Sequence, residues 1–386
     1  MSKSGSSNNI TYKRIVVKVG TSVLSGNSSD NSLDSNTMSD LVGQIASLIN
    51  IYESQVLIVT SGAIAAGRAA IGHRIKDSSN KDIISRQVFA AVGQGQLLHE
   101  YQQLFASHDI QVAQTLLTTN DLSNRQSYLN VRNTLLGLLE MGVVPIINEN
   151  DVVAVDEIGE VFGDNDRLSA LVTNLVDADL LIILTDTDGL YTSDPKHNKD
   201  AKLIVDVHHV DDGIIATAGS HSNPGSRGGM PTKLEAAQLV TTAGIPMVMC
   251  HGHTNQIILK VCQNESVGTK FHPAAEKLEA RKRWLLSMTH DSECGEIIID
   301  QGAAIALNKQ GVSLLPAGII ATNGSFNRGD VIYIINNDGG KIACGISNYT
   351  SADLTLIKGL KSDKIQDILG YYYGQEVVHR NNLVLI

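Results

Sequence analysis

The chain has 386 residues, 42% of them hydrophobic and 18% charged, which is more than one core usually holds and leads to an expectation of two globular domains. Its formal net charge of -10 argues against general affinity for nucleic acid or anionic membranes, so anionic ligands would have to be held by a few placed cations. The cysteines, Cys250, Cys262, Cys294 and Cys344, are too scattered for a zinc knuckle or disulfide framework, and no apolar run approaches the ~18 residues needed to span a bilayer, so buried thiols in a cytoplasmic enzyme are expected.

Met1 to Thr11 read as a disordered tail. Arg14 to Val19 reads as a short buried strand closed by Gly20-Thr21-Ser22. Lys18 stands at its end, where an ammonium beside glycine and hydroxyl residues can offer donors to phosphate oxygens; a surface lysine beside an ordinary turn would look the same. Leu41 to Ile51 has helical spacing, and Gln55 to Thr60 reads as a second strand. It runs into Thr60-Ser61-Gly62-Ala63-Ile64-Ala65-Ala66-Gly67, whose small residues let backbone approach a ligand and whose helix start presents unpaired N–H groups. Ser61 fits a carboxylate contact or an N-cap.

Helical stretches near Lys81 to Ala106 and Tyr128 to Met141 alternate with apolar strands at Ile110 to Ala113, Val143 to Ile147, Leu180 to Leu184 and Ile245 to Met249. That alternation predicts an α/β fold, a mostly parallel sheet with helices on both faces. Gly93-x-Gly95 lacks the third glycine and the preceding strand of a dinucleotide fingerprint.

The stretch Val143 to Asp166 draws most attention. An apolar strand stops at Asn148-Glu149-Asn150-Asp151, and a second polar cluster, Gly163-Asp164-Asn165-Asp166, follows after Val152 to Phe162, which reads as a loop over a pocket. Amides and carboxylates at a strand end stand where open α/β sheets bind ligands. Thr185-Asp186-Thr187-Asp188-Gly189 follows another apolar strand and lacks the further oxygen ligands of a calcium loop. In Arg227-Gly228-Gly229-Met230-Pro231-Thr232-Lys233, Pro231 suits a first helical turn and Lys233 would lie near that helix's positive end. The spacing is not that of a Walker A loop. His208-His209 and His251-x-His253 lack a third ligand at sensible spacing, so no metal site is expected in the protein itself.

After residue 276 the character changes. Glu276 to Arg283 is charged, Trp284 follows, and short β-like runs appear at Glu296 to Ile299, Val331 to Ile335 and Lys341 to Ile346 between Asn-Gly and Gly-Asp turn signals. The expected organisation is a tail over 1–11, an α/β domain over 12–275, a linker over 276–289, a small β-rich domain over 290–370 and an extension over 371–386.

Taken in order, Lys18 to Leu24, Thr60 to Gly67, Ile147 to Asp151, Gly163 to Asp166, Thr185-Asp186 and Gly228-Gly229-Met230-x-Thr232-Lys233 closely resemble the glutamate-phosphorylating branch of the amino acid kinase family. The resemblance covers nearly the whole chain. Leu314 to Ile319 and Phe326-x-Arg328-Gly329-Asp330 are similar to the PUA domain found in longer members. The resemblance implies a three-layer fold and ATP-dependent phosphorylation of the side-chain carboxylate of L-glutamate, with Mg²⁺, feedback inhibition by proline and a homo-oligomer.

By the same resemblance, Lys18 and Lys233 would contact the ATP phosphates and Asp166 would orient them. Ser61, Asn148, Asp151 and Asn165 would bind glutamate. Gly20, Thr185, Asp186 and the segment Arg227, Gly228, Gly229, Met230, Pro231, Thr232 and Lys233 would lie by the nucleotide. Arg227 and Pro231 stand where many members carry hydroxyl residues, which bears on nucleotide affinity.

Three other readings compete. An aspartate or acetylglutamate kinase would be expected without the small C-terminal domain and the Asn-Glu-Asn-Asp stretch. An RNA-binding protein acting through the small domain would be expected to be basic, whereas residues 290–386 carry seven Lys or Arg against ten Asp or Glu; that domain reads as structural or regulatory. A non-catalytic amino-acid sensor would not need Lys18, Asp166 and Lys233 together.

Overall fold

Runs of Val, Ile and Leu with no polar alternation suit strands covered on both faces, and three such runs form the middle of the larger sheet. These are β1 (Arg14–Val19), β2 (Gln55–Thr60) and β5 (Leu180–Thr185), each buried along nearly its whole length. In the computed structural model, residues 10–25, 33–72, 83–123, 125–153, 165–195, 197–217, 229–273, 282, 285–286, 295–310 and 312–386 are described. The chain divides into two compact units, Met1–Glu276 and Lys277–Ile386.

The first unit adds β3 (Val112–Leu117), β4 (Val144–Glu149), β6 (Asp206–Val207), β7 (Met247–His251) and β8 (Thr269–Phe271), in the order β3-β4-β2-β1-β5-β7-β8-β6. The six strands from β3 to β7 run parallel, β8 is antiparallel to β7, and β6 is parallel to β8. Its helices are α1 (Thr21–Leu24), α2 (Ser35–Asn50), α3 (Ala63–Ile71), α4 (Ile83–Ala106), α5 (Thr119–Ser123), α6 (Arg125–Glu140), α7 (Asn165–Leu175), α8 (Asp212–Thr217), α9 (Met230–Thr242) and α10 (Ile257–Cys262).

Strand parity decides what faces what. Ile15, Val17 and Val19 of β1 pack with Met38, Leu41 and Ile45 of α2 on one side of the sheet. Side chains alternate along a strand, so Lys18 points to the other side, where α7 packs on β1, β2, β4 and β5. Asp34 starts α2, its carboxylate accepting from the N–H groups of Asn36 and Thr37.

α3 and α4 touch backbone to backbone. A Cβ on Gly67 would stand 1.8 Å from the Phe89 carbonyl oxygen, and one on Gly93 1.8 Å from the Ala63 carbonyl oxygen. Gly93 therefore has a packing reason that no fingerprint would supply, while Gly95, two residues on, faces open space.

The second unit is a five-stranded sheet ordered β10-β9-β11-β12-β13. Its strands are β9 (Glu296–Ile299), β10 (Ile319–Asn323), β11 (Val331–Ile335), β12 (Lys341–Ile346) and β13 (Leu383–Leu385). Three of them have the bounds read from the sequence. Gly329 and Gly339, at φ 97° and 82°, take the left-handed conformation that their turns require. The sheet's core includes Ile297, Ile332, Ile334, Leu354 and Val378 around the fully buried Tyr349.

Several bounds differ from the expectation. β3 begins at Val112 rather than Ile110 and runs on through Gln114 and Thr115, which as part of an edge strand are not fully buried. β4 carries Asn148 and Glu149 inside the strand, and β7 runs to His251. Cys250, Cys262 and Cys344 are buried. Cys294, Trp284, the tail to residue 9 and most of the loop after Val153 lie outside the described residues, as do Lys81 and Asp82 before α4. Among the described residues no helix is long and apolar enough to cross a membrane.

The glycine crossing generates a pair of opposite expectations. Gly93→Ala should destabilise the protein by about 1–3 kcal/mol or more, because the added methyl meets backbone that cannot swing aside, whereas Gly95→Ala should stabilise by up to about 1 kcal/mol through helix propensity. Denaturant midpoints of the two variants check this, and equal shifts would remove the close contact.

Candidate active site

β1 is the switch point of the larger sheet: β2 lies on one side and β5 on the other. In open parallel sheets ligands bind beyond the carboxyl ends of the strands at that point. Register brings Val19 level with Thr60 and Leu184, while Thr185 pairs with His251. The ends of β1, β2, β4, β5 and β7 thus form one polar edge.

Its centre is the fully buried carboxylate of Asp166, at the start of α7. Lys18 Nζ stands 2.5 Å from Oδ1 and Lys233 Nζ donates to Oδ2 at 2.9 Å. The Thr232 hydroxyl donates to the same Oδ2 at 3.2 Å. Burial pushes the Asp166 carboxyl upward, but the two ammonium groups outweigh it and hold the group well below the usual carboxylate range. The N-terminal end of α7 adds to the same effect, since a helix start favours negative charge.

Lys233 reaches this carboxylate because α9 begins where the sequence suggested a loop ending in a helix. Gly229 caps the helix, its N–H donating to the Thr232 hydroxyl at 3.2 Å, and Pro231 occupies the first turn. Proline suits that turn, which needs no N–H from it. Met230, Pro231 and Thr232 are thus helical; Arg227 and Gly228 lie outside the described residues.

Beside the charge cluster, the Asn165 amide nitrogen shares its two N–H groups among three acceptors, the Thr60 backbone carbonyl at 2.8 Å, the Ser61 hydroxyl oxygen at 2.9 Å and the Asn148 side-chain oxygen at 3.0 Å. Asn148 also accepts from the Glu149 N–H at 2.9 Å. This network joins β2, β4 and α7. The Asn165 side-chain oxygen is buried and meets no hydrogen-bond partner among the described residues.

A cleft of about 210 Å³ opens here, lined by Ser61, Ile64, Arg68, Asn148, Asp151 and Asn165 among others. The residue that caps α3 is Gly62 at φ 102°, without a side-chain cap. Ser61 is therefore not the N-cap, and it faces the cleft. Burial raises the Asp151 carboxyl, and the nearby charge of Arg86 lowers it in part.

On the other side, Thr185 is buried and its hydroxyl donates to Asp186 Oδ1 at 3.2 Å. A Cβ on Gly20 would stand 3.4 Å from the Leu184 carbonyl oxygen and 3.7 Å from Lys18 Nζ. The expected residues thus fall into two sets either side of Asp166. Arg68 was missed by the sequence reading, although it lies one helical turn beyond Ile64 in the small-residue stretch that drew attention.

Comparison with known proteins covers both units of the chain. The amino acid kinase family matches residues 13–251 and the PUA domain matches residues 295–369. A protein named glutamate 5-kinase from Dehalococcoides mccartyi is 49% identical over 376 residues, 97% of this chain and 99% of the relative. Proteins of the same name from Herpetosiphon aurantiacus, at 48% over 373 residues, and Shewanella sediminis, at 45% over 378, cover 97% and 98% of this chain and 98% and 99% of their own lengths.

Asp166→Asn leaves the buried Lys18 and the partly buried Lys233 ammonium groups without a counter-charge and should cost about 3–5 kcal/mol at pH 7. A depressed folded pKa stabilises above the unfolded value of about 3.9 and loses that contribution as pH falls below it. Urea unfolding of parent and variant should therefore show a gap that is full at pH 7 and narrows below about pH 4; a gap independent of pH would contradict the ion-pair origin.

Proposed function

The chain belongs to the amino acid kinase family, and from that premise we propose how its residues divide the work of ATP-dependent phosphorylation of glutamate. It is a glutamate 5-kinase: it transfers a phosphoryl group from ATP to the side-chain carboxylate of L-glutamate, giving L-glutamyl 5-phosphate for proline biosynthesis. The observation that carries the assignment of roles is the Asp166 carboxylate holding Lys18 and Lys233 at the sheet edge, beside a cleft of mixed donors and acceptors.

The acceptor carboxylate has an ordinary pKa near ~4.3 and is ionised at neutral pH, so no general base is required. What opposes reaction is the approach of a carboxylate to a polyphosphate, and rate must come from alignment and fixed positive charge. Lys18 and Lys233 supply that charge at the transferring phosphoryl group. Asp166 holds them in place and does not attack. Two ammonium groups and one carboxylate sum to a net positive charge, which favours a nucleotide phosphate without leaving the lysines to repel each other unopposed.

Gly20, Thr185, Asp186 and the start of α9 from Gly229 to Lys233 lie on the nucleotide side, with Arg227 and Gly228 just before them in the chain. Mg²⁺ enters on the nucleotide, held mainly by its phosphates and by water. On the other side, Asn165 fixes Ser61 and Asn148, whose remaining donors steer the reacting carboxylate, and Asp151 accepts from the substrate's ammonium. Proline carries the same α-carboxylate and a similar cationic nitrogen, which supports feedback inhibition through this cleft. A homo-oligomeric, cytoplasmic enzyme completes the proposal.

An ATP- and Mg²⁺-dependent glutamyl hydroxamate assay tests the roles, with aspartate and acetylglutamate as competing substrates. Lys233→Ala should lower kcat by about 10²–10³-fold while glutamate binding largely survives. Asp151→Ala should raise the glutamate KM strongly at little cost in kcat. Equal turnover in Lys233→Ala and parent, or an unchanged KM in Asp151→Ala, would remove the residue concerned from its role.

A further inference from the structure

Arg68 has no part in the roles drawn so far, yet it is built into the same cleft. In α3 it lies four residues after Ile64 and three after Ala65, so the three share a helix face, and all three line the cleft. Its guanidinium stands 5.7 Å from the centroid of the Phe89 ring. That position follows from the glycine crossing, because Gly67 brings α3 onto the Phe89 backbone.

Arg68 is only partly buried, but its Nε is buried and meets no hydrogen-bond partner among the described residues. A buried unpaired donor costs free energy that a ligand can restore. Asp151, which lines the cleft together with Glu149, is influenced by Arg86 instead. Arg68 is thus a guanidinium held on an aromatic ring, with an unmatched donor, in a cleft whose inner end is Asn165 beside Asp166.

A guanidinium fits a carboxylate through two parallel N–H donors. The substrate has two carboxylates, and only one reacts. With the reacting group at the Asn165 end and the ammonium at Asp151, the second carboxylate still needs a cation, since the helix N–H groups of α3 and the Ser61 hydroxyl carry no full charge.

We propose that Arg68 binds the α-carboxylate of the substrate and so selects an amino acid with two carboxylates over one that lacks the second. The inference rests on the reading of this cleft as the glutamate site. It makes Arg68 a specificity residue that leaves the phosphoryl-transfer groups untouched.

The test compares L-glutamate with 4-aminobutyrate, which is glutamate without the α-carboxylate. The ratio of their kcat/KM values should be large in the parent and fall by about 100-fold in Arg68→Gln, mainly through the glutamate KM. Arg68→Lys, which keeps the charge and loses the fork, should fall between the two, and it serves as the test if Arg68→Gln does not fold. A ratio equal to the parent's in both variants, or in Arg68→Lys where it alone folds, would overturn the proposal, even if both substrates were handled worse, because a merely structural role would affect them alike. A parent protein with no activity on glutamate would instead reject the reading of the site, and this inference with it.

Discussion

One buried carboxylate organises the polar edge of the larger sheet in this protein. Asp166 is fully buried and holds Lys18 and Lys233 at 2.5 and 2.9 Å, and an isolated charge in that place would be prohibitively costly. The cluster is sustainable because it is nearly closed: strand parity turns Lys18 toward α7, the start of α7 favours the negative charge, and the Gly229 cap starts α9 at the point from which Lys233 reaches in. The pairing is weak evidence for stability by itself, since buried ion pairs often do no better than apolar packing. In the proposed function its use is to fix two ammonium groups in one geometry before any substrate arrives, which is what electrostatic catalysis of phosphoryl transfer requires.

The cleft proposed to select the substrate is laid out from the same point in the other direction. Asn165 precedes Asp166, and its amide ties the ends of β2 and β4 together. Beyond it the cleft passes α3, whose position depends on two glycines that let its backbone meet that of α4. The apolar packing and the polar site are therefore coupled. A methyl group added at Gly93 would displace the helix that carries the small-residue stretch and Arg68, without touching any reacting atom.

Much of this was readable in the sequence, for a physical reason. Strands buried on both faces announce themselves as unbroken apolar runs, and β1, β2 and β5 stand where those runs do, with polar residues marking their carboxyl ends. β3 lies at the sheet edge and admits Gln114 and Thr115, so the apolar signal ended before the strand did. β13 is three residues long, Leu383–Leu385, too short for a periodicity to show. The resemblance implied that Asp166 orients both lysines, but the residues and their spacing alone could not show it, because the bridge depends on the order of β1, α7 and α9 in space. Arg68 was illegible for a related reason: it follows a recognisable stretch, yet its meaning comes from Phe89, which the glycine crossing places under it.

The central claim is that Lys18 and Lys233 act as a unit through Asp166. A double-mutant cycle over Asp166→Asn and Lys233→Met, read on kcat/KM for glutamate phosphorylation, tests it most directly. Strong non-additivity is predicted, the double variant being little worse than the poorer single variant, because either change already breaks the same arrangement. Losses that simply multiply would mean that the carboxylate and the lysine contribute independently, and would contradict the account.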